Sequence, residues 1–300
     1  MSKQGRLLEQ HRNDIQAALF LAPFLLTYLL LLVYPFLLGL WMSLHDWELL
    51  AVPAKIVPRF IGIQNYVRLV TDSQFWSSLG HTVLFTALAV PSITATSLVL
   101  ALGLNRQTKG AAFLRGVFFI SGVFSVTVVT LVWLAILSPA RGLAGYALQS
   151  FGLEPVDFLA DRRFAMPVLV LTTLWWSVGV PMALFLAGLQ QIPKELYEAA
   201  ALDRAGRWDR FWLITLPALA RTTWLVIILQ IISHFQVFGQ VLLMTGGGPA
   251  NSTRVLVQYI YETSFRDWEM GYASALSAVL FIVMMAVSLA QLRVSSQEDE

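Results

Sequence analysis

The chain has 300 residues, of which 57% are hydrophobic and only 13% charged, about half the charged share of an ordinary soluble domain. So many apolar side chains cannot all be hidden in one aqueous core, and lipid is the expected solvent for much of the surface. A net charge of +2 with no basic block excludes a nucleic-acid binder, and the absence of Cys excludes disulfide frameworks, thiolate metal sites and Cys nucleophiles.

Residues 1–16 carry Lys3, Arg6 and Arg12 ahead of an apolar run, Ala17–Ser43. That run is much longer than the apolar region of a secretory signal, and no small-x-small cleavage site follows before Trp41 and Trp47. It reads as a retained membrane helix. A bilayer core takes about 20 mostly apolar residues as a helix, and five further stretches reach that length: Ser78–Leu104, Ala112–Leu137, Ala165–Leu189, Thr222–Thr245 and Ala273–Leu292. As helices they satisfy their own backbone groups, which is the condition for crossing lipid.

Pro35, Pro91, Gly179 with Pro181, and Gly239 fall inside these stretches as helix breakers, each either a break re-satisfied by protein or water or an ordinary kink. Ala183 with Ala187, and Ser274 with Ala278, are small-xxx-small pairs that suit close helix approach. Of the connections, Asn105–Gly110 is short and basic, while Ser138–Arg163 and Gly246–Asn251 are rich in turn residues. With the N-terminus in the cytoplasm, 12 Lys and Arg residues fall inside and 8 outside. The positive-inside rule then places both termini, including the tail 294–300, in the cytoplasm. Trp residues near the stretch edges fit interfacial anchoring and helix packing equally well.

The most informative connection, residues 190–217, reads Pro193-Lys-Glu-Leu-Tyr-Glu-Ala-Ala-Ala-Leu-Asp-Arg-Ala-Gly206 and then Arg207-Trp-Asp-Arg-Phe-Trp-Leu-Ile-Thr-Leu-Pro217. Pro193 suits a first helical position, and Glu195 and Glu198 follow in early turns where the helix dipole favours acids. Leu196, Ala199, Ala200 and Asp203 continue at helical spacing, and Gly206 is expected to end the run. A second short amphipathic segment reaches Pro217. This helix-turn-helix falls on the cytoplasmic side and suits either a groove on a partner or the membrane surface.

The segment resembles the Glu-Ala-Ala loop of importer permeases, in which that triplet precedes a Gly and then Ile-x-Leu-Pro. Glu198, Ala199, Ala200, Ile214, Leu216 and Pro217 fall in register. Arg204 stands at the pattern's Gly and needs a left-handed backbone if the turn is unchanged, while Gly206 matches a second Gly of maltose-type permeases. Phe60-Ile-Gly-Ile-Gln-Asn-Tyr66 and Leu243-Met-Thr-Gly-Gly-Gly-Pro-Ala-Asn-Ser-Thr253 extend the resemblance. From Ala17 to Arg293 the chain is similar to the sugar and glycerol-3-phosphate (maltose-permease-like) permeases of binding-protein-dependent ATP-binding-cassette importers.

That resemblance implies an all-α integral membrane protein of the bacterial inner membrane. It implies six transmembrane helices over 17–293, both termini cytoplasmic, and a cytoplasmic coupling helix between spans four and five. Glu198, Ala199, Ala200, Asp203, Gly206, Ile214, Leu216 and Pro217 would form the coupling loop that docks on a cytoplasmic ATPase dimer, with Glu198 pairing to a basic group there. ATP and Mg would be used by that partner, and no cofactor is expected on this chain. A two-fold ATPase dimer takes two such loops, so a second, related permease subunit is implied. An extracytoplasmic solute-binding protein would deliver the solute.

Aligned on Glu198, the positions that contact sugar in maltose-type permeases fall on Thr173, Trp176, Ser177, Val180, Gln230, His234 and Val237. Hydroxyls, amides and one aromatic face suit a polyhydroxyl ligand, and for each residue interhelical bonding fits as well. No Lys or Arg lies well inside a stretch except Arg115, near the edge of the third, so an uncharged solute is expected; a glycerol-3-phosphate or polyol importer is the alternative. An ion-coupled secondary transporter needs a membrane-buried carboxylate, and none of the six stretches contains Asp or Glu. An ATPase needs Gly-Lys followed by Ser or Thr, and no Gly-Lys occurs. His11, His45, His81 and His234 lack metal-ligand spacing.

Overall fold

The computed structural model describes residues 20–48 and 58–297, with side chains as far as residue 291. The basic residues Lys3, Arg6 and Arg12, residues 17–19 and the last three residues therefore lie outside the described part. Described residues are mostly helical. Three helices are long and apolar enough to cross a bilayer: α1 (Phe20–Ser43), α3 (Ser73–Leu104) and the Met270–Gln291 portion of α14 (Met270–Gln297). Three helix pairs reach that length only when counted across a sharp bend. The described residues thus hold three to six candidate spans.

It divides into two compact units, residues 1–71 with 260–279, and residues 72–259 with 280–300. In the first, α1 widens into a π-turn over Leu29–Val33. The extra residue relieves Pro35, whose ring lacks a donor and crowds the carbonyl one turn back. Strands β1 (His45–Asp46) and β2 (Arg59–Phe60) pair antiparallel and lead to α2 (Gln64–Thr71). Buried Asn65 donates to the carbonyls of Ser43 at 2.8 Å and His45 at 3.1 Å, and the Tyr66 hydroxyl lies 2.7 Å from Ser43 Oγ. The Phe60–Tyr66 motif is therefore a clamp on the end of α1. Arg68 pairs with Glu269 at 2.7 Å and stacks over Tyr272.

In the second unit Asp72 caps α3 by accepting from the Gln74 amide at 2.8 Å. Of the two readings of Pro91, a break is not what forms: α3 runs through it as one helix. One missing donor is a small defect in 32 helical residues, and the proline ring lies on the exposed side. The third stretch departs the other way. Ala112–Leu137 was expected as one helix, but α4 (Lys109–Ser121) and α5 (Val126–Leu137) meet at 102°. Ser125 is the cause: it takes an extended backbone and caps α5 through the Val128 amide at 3.4 Å. The turn-rich segment 138–163 holds the short helix α6 (Leu143–Ser150).

Helices α7 (Ala165–Ser177) and α8 (Gly179–Gln191) are bent by 52° at Val178, where Gly179 and Pro181 lead one to look for a break. A Cβ on Gly179 would stand 2.5 Å from the Phe118 carbonyl oxygen, so α4 and α8 cross too closely for any larger residue. Ser121 and Ser97 hydroxyls reach the Trp176 and Val178 carbonyls at the bend. Then follow α9 (Lys194–Leu202) and α10 (Arg207–Ala218), the latter joined to α11 (Ala220–Phe235) at 62°. The fifth stretch breaks over residues 236–238 before α12 (Gly239–Met244). Helix α13 is Leu256–Phe265.

Two apolar cores hold this unit. One gathers Phe85, Ile93, Met166, Leu169, Val241 and Met244, and the other Ala101, Met182, Phe185, Leu189, Leu219 and Val226. The 245–253 corner is fixed internally. Buried Thr253 donates to the Gly248 carbonyl and lies 2.7 Å from the Thr245 hydroxyl, while Gly246 and Gly247 take left-handed backbones.

Candidate functional site

Along both α7–α8 and α11–α12, one core occupies each end and polar residues occupy the middle. There the structure has a cavity of about 660 Å³. All seven sequence-derived positions line it: Thr173, Trp176, Ser177, Val180, Gln230, His234 and Val237. Their convergence follows from the two breaks, since Val178 and residues 236–238 interrupt α7–α8 and α11–α12 beside the same cavity. Ser233, Gln236 and Gln240 complete the polar wall, with Phe238 beside them and Gly122 and Val126 from the α4–α5 bend. The α4–α5 residues were missed from sequence because the third stretch read as unbroken, and Gln240 because the break read at Gly239 did not single out the amide beside it.

Among the described residues no Asp, Glu, Lys or Arg lines the cavity, and its polar groups are amides, hydroxyls, one imidazole and one indole. The Trp176 indole donates to the Phe124 carbonyl at 3.1 Å, which leaves its ring face for contact. Ser177 donates to the Thr173 carbonyl at 2.7 Å. His234 is buried, edge-on to Phe85 with ring centroids 6.1 Å apart, and its Nε2 has no hydrogen-bond partner.

The second candidate region is α9–α10. Glu198 and Ala199 are exposed and Ala200 half-buried, and no residue of α9 is buried. The helix begins at Lys194, with Pro193 as its cap rather than its first turn. It ends before Gly206, which is a correction. Arg204 has φ +59, its amide donates to the Ala201 carbonyl, and the Ala205 amide donates to the Ala200 carbonyl at 2.9 Å. That is the paired-bond termination usually built on Gly, here built on Arg204 with exposed Asp203 before it. Gly206 instead starts α10, its amide donating to Asp209 at 2.8 Å.

The two arms are tied to each other and to the spans. The Tyr197 hydroxyl lies 2.9 Å from Thr215 Oγ1, and Arg210 Nε donates to the Ala205 carbonyl at 3.0 Å. Tyr197 and half-buried Ile214 pack on the core of Met182, Phe185, Leu189 and Leu219. A π-turn over Phe211–Thr215 precedes Leu216 and exposed Pro217, as one precedes Pro35. The result is a short, braced, outward-facing elbow with its root in the span core.

Residues 93–297 match the family described as binding-protein-dependent transport system inner membrane component. The chain is 35% identical to the probable ABC transporter permease protein YurN of Bacillus subtilis, over 94% of this chain and 97% of that one. It is 33% identical to the multiple sugar-binding transport system permease protein MsmF of Streptococcus mutans, over 88% and 89%. Among solved structures it is similar to a chain of a bacterial ABC transporter involved in the import of the acidic polysaccharide alginate. There the TM-score is 0.84 at 24% identity, covering 97% of this chain and 99% of that one.

Proposed function

The chain belongs to the family of binding-protein-dependent transport system inner membrane components, and on that premise we propose that it forms, with a second permease, the alternating-access pathway for a neutral sugar or related polyol. It is a transport component rather than an enzyme. Each bent helix pair counts as one span in this reading, which makes six, with both termini cytoplasmic and a multi-pass disposition in the inner membrane.

The observation that carries the reading is the elbow. Its tip, with Glu198 and Ala199, is bare, while its root is packed on the core that holds α8 and α11. An exposed, braced lever of that kind transmits motion from a partner to the spans it is rooted in. A cytoplasmic ATPase dimer is the partner; two-fold symmetry requires two elbows and this chain supplies one, hence a second, related permease. A solute-binding protein outside delivers the solute.

The neutral-sugar assignment rests on a cavity lined by amides and hydroxyls with no charged side chain, and on the similarity to a multiple sugar-binding transport permease. Efficient competition by glycerol-3-phosphate for uptake contradicts it.

The coupling role is tested by co-purifying the chain with its ATPase and permease partners. Glu198→Lys is expected to abolish assembly or solute-stimulated ATP hydrolysis. Unchanged assembly together with unchanged stimulation overturns the assignment.

A further inference from the structure

Gln240 is 2% exposed, although it carries an amide and lies at the start of a helix that opens on the cavity. Its Nε2 donates to the Leu169 carbonyl at 3.1 Å, and its Oε1 lies 2.8 Å from Thr173 Oγ1. These partners fix the amide's orientation, because the reverse would set Oε1 against the Leu169 carbonyl oxygen. Thr173 Oγ1 is also 2.8 Å from that carbonyl. A hydroxyl has one proton to give. The Leu169 carbonyl and Gln240 Oε1 are equidistant acceptors for it, and the bond to Gln240 is the one that, with Nε2 donating to Leu169, joins α12 to α7.

Two consequences follow. Thr173, expected to touch the solute, already has its hydroxyl engaged within the protein. And the broken stretch before α12, where Phe238 has φ −148 and ψ −68, is held against the fourth span by polar bonds that come from one side chain.

Resting on the transport cavity assigned above, we propose that Gln240 and Thr173 form a positioning pair: they pin the break of the fifth span to the fourth and so set where Gln236 and Val237 stand in the cavity wall. Neither residue of the pair is a solute ligand in this account. Its role is geometric, and it can be read without any solute.

The chain contains no Cys, so a single Val237→Cys substitution supplies a clean reporter within the assembled transporter. The measurement is its rate of alkylation by N-ethylmaleimide. Gln240→Leu and Thr173→Val, each placed on the reporter background, are expected to change that rate at least threefold, by the same factor. The double variant should go no further than either single one, and Thr173→Ser, which keeps the hydroxyl, should retain the reporter's original rate.

An unchanged rate in Gln240→Leu, or effects that multiply in the double variant, overturns the pairing. Should Gln240→Leu fail to accumulate, the near-isosteric Thr173→Val against Thr173→Ser decides the matter alone. Because neither ATP nor solute enters the measurement, its outcome is independent of the Glu198→Lys assembly test.

Discussion

Arg204 shows how a single residue can be legible in identity and illegible in consequence. The sequence pattern marks it as a departure from Gly, but only the backbone tells whether the turn yielded or the residue did. At φ +59, with both terminating hydrogen bonds in place, the residue yielded. A non-Gly residue in that basin costs about 1–2 kcal/mol. Arg204→Gly is therefore expected to raise the melting temperature of the purified complex; a lower one contradicts a strained cap. In the cavity, Trp176 already spends its indole N–H on Phe124, so its ring face is what remains for a sugar. Uptake of the solute carried by the binding protein should fall strongly in Trp176→Ala and His234→Ala with the complex intact, and less in Trp176→Phe. Normal uptake in the alanine variants removes both residues from the pathway.

At the scale of elements, hydropathy reports how long a stretch can stay in lipid, not whether the helix within it is continuous. Pro91, read as a break or an ordinary kink, leaves α3 continuous. The Gly122–Ser125 turn, with no proline, bends the third stretch by 102°. A signal was present, since Ser125 is a capping residue standing three before Val128, but an apolar context conceals a cap inside a span. In the fifth stretch the break beside Gly239 was legible, but nothing in the sequence marked Gln240 as the amide that pins it. The bend at Gly179 was legible, and there the structure adds its reason, the close crossing with α4.

That crossing makes a comparative prediction. At Gly179 a Cβ meets backbone at 2.5 Å, whereas at Gly188 it meets the side chains of Thr222 and Leu219 at 2.7 and 2.9 Å, which can turn aside. Gly179→Ala should reduce accumulation of folded protein far more than Gly188→Ala, an overpacking cost of about 1–3 kcal/mol or more. Equal effects contradict a backbone-limited crossing.

At the scale of the molecule, the two broken helix pairs α7–α8 and α11–α12 wall one cavity free of charged side chains among the described residues, and the elbow between them is bare at its tip and packed at its root. Motion applied at Glu198 has a short, hydrogen-bonded route through Tyr197 and Thr215 to the helices that wall the cavity. The family is shown by sequence; the fold adds a braced elbow, from which the lever role is proposed. All of this requires the elbow to face the cytoplasm, where an ATPase can reach it. The direct measurement is labelling of a single Ala201→Cys, on the exposed side of α9, with a membrane-impermeant maleimide in vesicles of defined orientation. The account predicts labelling in inside-out vesicles and none in right-side-out ones, with protection when the ATPase is bound; labelling from the exterior face contradicts it.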